Sequence, residues 1–126
     1  MDWLPVAILG AFIIFILIRI LPPRGVKSIS ADELQETLKN PKGKQVIDVR
    51  DPNEYKAGHI QGARNIPLTQ IGSASNGIPK DKETFLVCAT GFRSAQATRI
   101  LKKQGFTNLN NLAGGLKNWK GKLVKK

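Results

Sequence analysis

The chain is expected to be α/β, a three-layer fold with a central parallel sheet flanked by helices, preceded by one transmembrane helix. Three observations predict this. Short apolar runs such as Gln45–Val49 (QVIDV) and Thr84–Cys88 (TFLVC) alternate with helical patterns, as in a parallel sheet covered on both faces. The first 26 residues differ sharply in composition from the rest. A chain of 126 residues has room for one such domain and little else. The expected organisation is an anchor and tether over 1–26, a folded domain over 27–122 and a basic tail over 123–126.

Residues Trp3 to Leu21 (WLPVAILGAFIIFILIRIL) carry a single charge, Arg19, near one end. About 20 apolar residues cross a hydrocarbon core roughly 30 Å thick, so this run is just long enough to span. Pro5 falls in the first turn, where its missing N–H does little harm. A cleaved signal peptide is disfavoured, because Met1-Asp2 is not basic and Pro22-Pro23-Arg24 replaces a small-residue cleavage site. A buried core helix is disfavoured, because the run is apolar on every face. Asp2 precedes it and Arg19, Arg24 and Lys27 lie at or after its end, which places the soluble part in the cytoplasm. A bacterial inner membrane is the expected location. The lone cysteine agrees, since it precludes an intrachain disulfide.

Pro22–Val26 reads as a short tether. Ser30-Ala31-Asp32-Glu33 is a capping box opening a helix, with Ile29 and Leu34 at the staple positions and Asn40-Pro41 ending it. QVIDV reads as a buried strand, Asp51–Ala57 as a turn with one or two helical turns stopped by Gly58, and Ala63–Ile66 as a short strand. Gly72–Gly77 (GSASNG) reads as a loop. TFLVC is the central strand. Ser94–Gln104 is a helix, with Lys102 and Lys103 in its last turn and Gly105 past its end. Leu109–Leu112 is a strand, followed by Gly114-Gly115 and a short helix carrying Trp119. The lysine-rich end from Lys120 is expected to fray.

The net charge of +11 suits an anionic membrane surface or a field that gathers small anions. Nucleic-acid binding is set aside, because no basic-aromatic stacking platform or nucleic-acid module is recognisable. One histidine, His59, excludes a multi-histidine metal site.

The segment Cys88-Ala89-Thr90-Gly91-Phe92-Arg93-Ser94 carries the chemistry. A strand ending at a cysteine and turning at once into a helix aims backbone N–H groups of residues 89–94, and the positive helix end, at the sulfur. Both stabilise a thiolate. Gly91 lets the loop curl, and Arg93 adds a planar donor fork. The bland reading is a small buried hydrophobe, but a core cysteine gains nothing from a glycine and an arginine three and five residues later.

Four segments occur in an order that resembles single-domain rhodaneses, a sulfurtransferase family: VIDVR (Val46–Arg50), EYKAGHIQGARNIP (Glu54–Pro67), CATGFRS (Cys88–Ser94) and LAGGLKNW (Leu112–Trp119). The resemblance covers roughly residues 27 to 122 and leaves out the apolar run. It implies a Cys88 nucleophile that takes sulfane sulfur from a small anion such as thiosulfate as a persulfide and passes it to cyanide, a thiol or a protein. It implies no cofactor and no metal. With no second cysteine, the acceptor is external. Residues 89–94 would bind substrate, with Arg93 on the donor anion and the Thr90 hydroxyl beside it. Asp48 and Arg50 are expected to brace the site as a pair, with His59 structural and Trp119 in the core. Related cysteine phosphatases place one more residue between cysteine and arginine than the four found here, so the tighter loop favours sulfur over phosphate. The family's helix before the cysteine strand shrinks here to LTQIGSASNGIPKDKE, which leaves one wall of the site open. A membrane-held adaptor with the same fold is the alternative from another functional class.

Overall fold

A computed structural model describes residues 2–20 and 25–125. In chain order the elements are α1 (Trp3–Ile20), β1 (Lys27–Ile29), α2 (Ala31–Thr37), β2 (Lys44–Asp48), α3 (Pro52–Ala57), β3 (His59–Ile60), β4 (Arg64–Asn65), α4 (Leu68–Ala74), β5 (Glu83–Val87), α5 (Phe92–Lys103), β6 (Leu109–Leu112) and β7 (Leu123–Val124), with 3-10 turns at Ser75–Gly77 and Gly115–Asn118. Five strands form one parallel sheet in the order β1-β6-β5-β2-β4. β5 lies at its centre, and Cys88 follows directly at its carboxyl end, where open α/β sheets place their ligands.

The period-two alternation of the strands divides the core. Ile47, Val49, Leu86 and Cys88 face one side, packing with Ile71, Ala97, Leu101 and Phe106 beneath α4 and α5. Val46, Phe85 and Val87 face the other, with Ala31, Leu34, Ile60 and Leu112 under α2. Thr84 through Cys88 have no exposed surface, as expected of a strand covered on both faces.

Local signals set the helix ends. Ser30 Oγ accepts the Glu33 N–H at 3.1 Å, and the Glu33 carboxylate meets that hydroxyl at 3.2 Å, where a full capping box would have it bond the backbone. Gly105 stands at φ +96 past α5. The Phe106 N–H returns to Leu101 O and the Gly105 N–H to Lys102 O, a Schellman closure.

Three expectations change. Residues 68–77 are helical where a loop and an open wall were expected. Ile71 is fully buried, and Gly72 lies against Ile100 while its carbonyl accepts from Gln104 Nε2 at 3.0 Å. Packing on α5 stabilises a segment whose glycines and serines disfavour a helix. Leu123–Val124 are not frayed: β7 pairs antiparallel with β3, His59 opposite Val124. The third concerns the span. α1 has 18 residues and rises about 27 Å, short of the roughly 30 Å hydrocarbon core. Among the described residues no helix is long and apolar enough to cross a membrane. Leu21 and most of the expected tether, residues 21–24, lie outside the described residues. α1 does expose Trp3, Ile8, Phe12, Ile14 and Ile18, and Arg99 Nη2 donates to the Ile18 carbonyl at 2.6 Å, near the C-terminus of α1 where carbonyls lack helical partners.

Ile71→Ala should cost about 2–5 kcal/mol in urea unfolding, the range for deleting a buried aliphatic side chain. A loss under roughly 1 kcal/mol would show that α4 is the soft loop its composition indicates.

Candidate active site

The site begins with a close approach of two backbones. Gly115, at φ +70, lies so near the end of β5 that an added Cβ would stand 2.5 Å from Ala89 C and 2.6 Å from Cys88 O. The N–H groups of Leu116 and Lys117 donate to Cys88 O at 2.8 Å and Ala89 O at 3.2 Å. The Gly-Gly segment after β6 thus splints the cysteine loop from below.

Above this floor the chain curls through Gly91, at φ +93, and enters α5. The Gly91 N–H donates to Cys88 Sγ at 2.9 Å and the Ser94 N–H at 3.4 Å. Two amides therefore reach the sulfur, fewer than the whole of residues 89–94. Ser94 Oγ lies 3.4 Å from Sγ and donates to Asn111 Oδ1 at 2.5 Å. Cys88 is fully buried. Beside the loop a cavity of about 320 Å³ is lined by Ser28, Thr90, Gly91, Phe92, Asn111 and Gly114. Thr90 and Phe92 are exposed on its rim. No residue of α4 lines it.

Arg93 does not stand free in the mouth. Its guanidinium grips Glu54 of α3 through two bonds, 2.9 and 3.0 Å, the bidentate geometry that suits arginine. Hydrogen bonds from Arg93 hold the Glu54 carboxyl below its ordinary value of 4.5, and Glu54 in turn raises Arg93. The pair straps the start of α5 to α3, and a guanidinium has five N–H donors, so others remain. Glu54 lies within the sequence segment singled out above, but a contact across 39 positions leaves no local mark.

Asp48 and Arg50 are the expected pair. The Arg50 guanidinium donates to Asp48 Oδ2 at 2.8 Å and to Gly58 O at 2.7 Å, both residues buried. What they brace is the β2–α3–β3 connection, and their hydrogen bonds do not reach residues 88–94. His59 is buried, its Nδ1 2.7 Å from Tyr55 O and its ring stacked on Tyr55 at 3.6 Å. Trp119 packs against the α2-side core. The sequence reading missed Asn111, whose only signal is a polar residue inside a strand that is buried throughout.

A family profile described as Rhodanese-like domain matches residues 30–122. The chain is 41% identical over 120 residues to the uncharacterized protein YqhL of Bacillus subtilis, covering 94% of this chain and 93% of that one. It is 43% identical over 74 residues to the thiosulfate sulfurtransferase PspE of Escherichia coli, covering 57% and 70%. The crystal structure of a rhodanese-like domain protein from Staphylococcus aureus superposes with a TM-score of 0.73 at 36% identity, over 80% of this chain and 99% of that one.

Two outcomes follow from this geometry. Gly115→Ala should cost roughly 1–3 kcal/mol from positive φ alone, with a further loss as the Cys88–Ala89 peptide is pushed away; thermal melts would register it, and an unchanged midpoint would show that the floor yields freely. For Glu54, the folded value is depressed, so its ion-pair contribution is complete above about pH 4.5 and lost as pH falls through the lower folded value. The melting difference between the wild type and Glu54→Gln should therefore shrink from pH 6 to pH 3. A difference constant with pH would mean that the strap adds no stability through charge.

Proposed function

The chain belongs to the rhodanese-like domain family, and on that premise we propose that it is a sulfurtransferase working through a Cys88 persulfide. The observation that carries this reading is the sulfur itself, held at the carboxyl end of the central strand by two backbone N–H groups at the start of a 12-residue helix. Partial positive charge there favours the thiolate, the reactive form. Relatives bear sulfurtransferase names, PspE among them, and thiosulfate is the donor we propose here.

The chemistry is a two-step displacement. The Cys88 thiolate attacks the outer sulfur of thiosulfate. A new S–S bond forms to Cys88, the donor's S–S bond breaks, and sulfite leaves with the electron pair. The outer sulfur now carries the negative charge beside the loop. An acceptor thiolate or cyanide then attacks it, and Cys88 leaves as thiolate. No second cysteine exists in the chain to serve as acceptor. Arg93, strapped to Glu54, keeps the loop in register and has donors left for the anion.

The apolar surface of α1 further supports attachment to a lipid bilayer. Its C-terminal end meets α5 at Arg99, seven residues and about 10 Å along the helix from the loop. The mouth at the start of α5 then lies away from the α1 junction, which favours an acceptor that arrives from water. The proposed location is a bacterial inner membrane with the domain on the cytoplasmic side.

The test is intact-protein mass spectrometry of the full chain in detergent, before and after thiosulfate. One added sulfur, removed by cyanide and absent in Cys88→Ser, is expected. No gain with thiosulfate or with other persulfide donors would end the sulfurtransferase reading and favour a membrane-held adaptor. Alkaline carbonate washing of membranes tests attachment: the chain should stay in the pellet, and release to the supernatant would remove α1 as an anchor.

A further inference from the structure

Ser94 and Asn111 form a buried polar pair against the reactive sulfur, neither exposed by more than 6%. The Ser94 hydroxyl has one proton. Its shortest bond is to Asn111 Oδ1, at 2.5 Å, against 3.2 Å to Gly91 O. With the proton committed there, the oxygen turns a lone pair to Sγ, 3.4 Å away. That arrangement suits a neutral thiol, which can donate to it. A thiolate cannot donate and needs the proton that Asn111 holds.

We propose that Asn111 is a positioning residue that competes with the Cys88 thiolate for the Ser94 hydroxyl proton, and so sets how readily the thiol ionises. On ionisation the thiol proton leaves to water. The Ser94 O–H rotates from Asn111 Oδ1 to Sγ and stays covalently intact, with no other bond made or broken. The sulfur then has three donors: the Gly91 N–H, the Ser94 N–H and the Ser94 hydroxyl. Asn111 keeps the resting thiol protonated until the loop offers a stronger demand, which limits side reactions of a bare thiolate.

Charged groups around the thiol do not supply this control by themselves. Arg93 on α5 couples to Cys88 but is neutralised by Glu54 on α3. The Asp48–Arg50 pair on the neighbouring strand side is closed on itself. β6 and α4 carry no ionisable side chain, and Lys117 on the following turn is exposed. None of these changes in an Asn111 variant.

This inference deepens the proposed function, since it concerns the same sulfur, but its test needs no sulfur donor. Cys88 is the sole cysteine, so the pH dependence of its alkylation by iodoacetamide reads ionisation without ambiguity. In the full chain in detergent, Asn111→Ala and Asn111→Leu should each move the half-reaction pH down by about one unit, the scale of one hydrogen bond to a charged group. Ser94→Ala should move it up. In the Ser94→Ala background, Asn111→Ala should have no further effect, an outcome that a merely structural asparagine would not produce. An unmoved half-reaction pH in the folded Asn111 variants, or a shift that persists without the Ser94 hydroxyl, overturns the proposal. Should both Asn111 variants fail to fold, Ser94→Ala decides: an unchanged half-reaction pH refutes the role of the hydroxyl. Failure to load sulfur with a normal alkylation pattern would sink the proposed function alone.

Discussion

The contact on which the site depends is the packing of the Gly115 backbone beneath the Cys88–Ala89 peptide. It removes any room for a side chain, and the two amides that follow it tie off the Cys88 and Ala89 carbonyls. Once those carbonyls are bonded downward, the next amides are free to turn toward the sulfur. Gly91 completes the curl in the left-handed region, with the Leu112 carbonyl and the Gly114 amide 3.4 Å from where a Cβ would stand. The cysteine loop and the Gly-Gly segment are therefore one object, built from two stretches of chain joined through adjacent strands β5 and β6.

Cys88 occupies two settings at once. It is a fully buried member of the α4–α5 side of the core, packed among Leu86, Ile47 and Ala97, and it is also the acceptor of two backbone donors. The first role fixes its position through the strand alternation. The second gives its charged form a partner in an interior where an unpaired charge would be costly. A small residue that packs like a hydrophobe while its sulfur accepts from the backbone satisfies both.

What the sequence disclosed was local. Ser30 at an N-cap, Gly105 past a C-terminus, the apolar run ending at Cys88 and the Asp48–Arg50 spacing each act within a few residues, and each appears where expected. What it withheld depends on distant partners. The helix at 68–74 exists because Ile71 and Gly72 meet α5; its own composition reads as a loop. β7 exists because β3 offers a free edge. Arg93 reads as a donor to substrate until Glu54 is brought beside it by the α3 turn. Asn111 has meaning only once Ser94 is across from it. The apolar run was legible as a helix, but at 18 residues that helix is shorter than the span its composition led one to expect.

The direction of the loop amides bears on the choice between sulfur and phosphate. A loop that binds a phosphoryl group must spread its N–H groups around oxygens held above the nucleophile. Here the Gly91 amide is spent on Sγ itself at 2.9 Å and the Ser94 amide points to the same atom. Two donors converging on one atom match a single negative centre rather than a tetrahedral oxyanion. A persulfide keeps its charge on one sulfur adjoining Sγ, so the positive end of α5 stabilises it with little rearrangement.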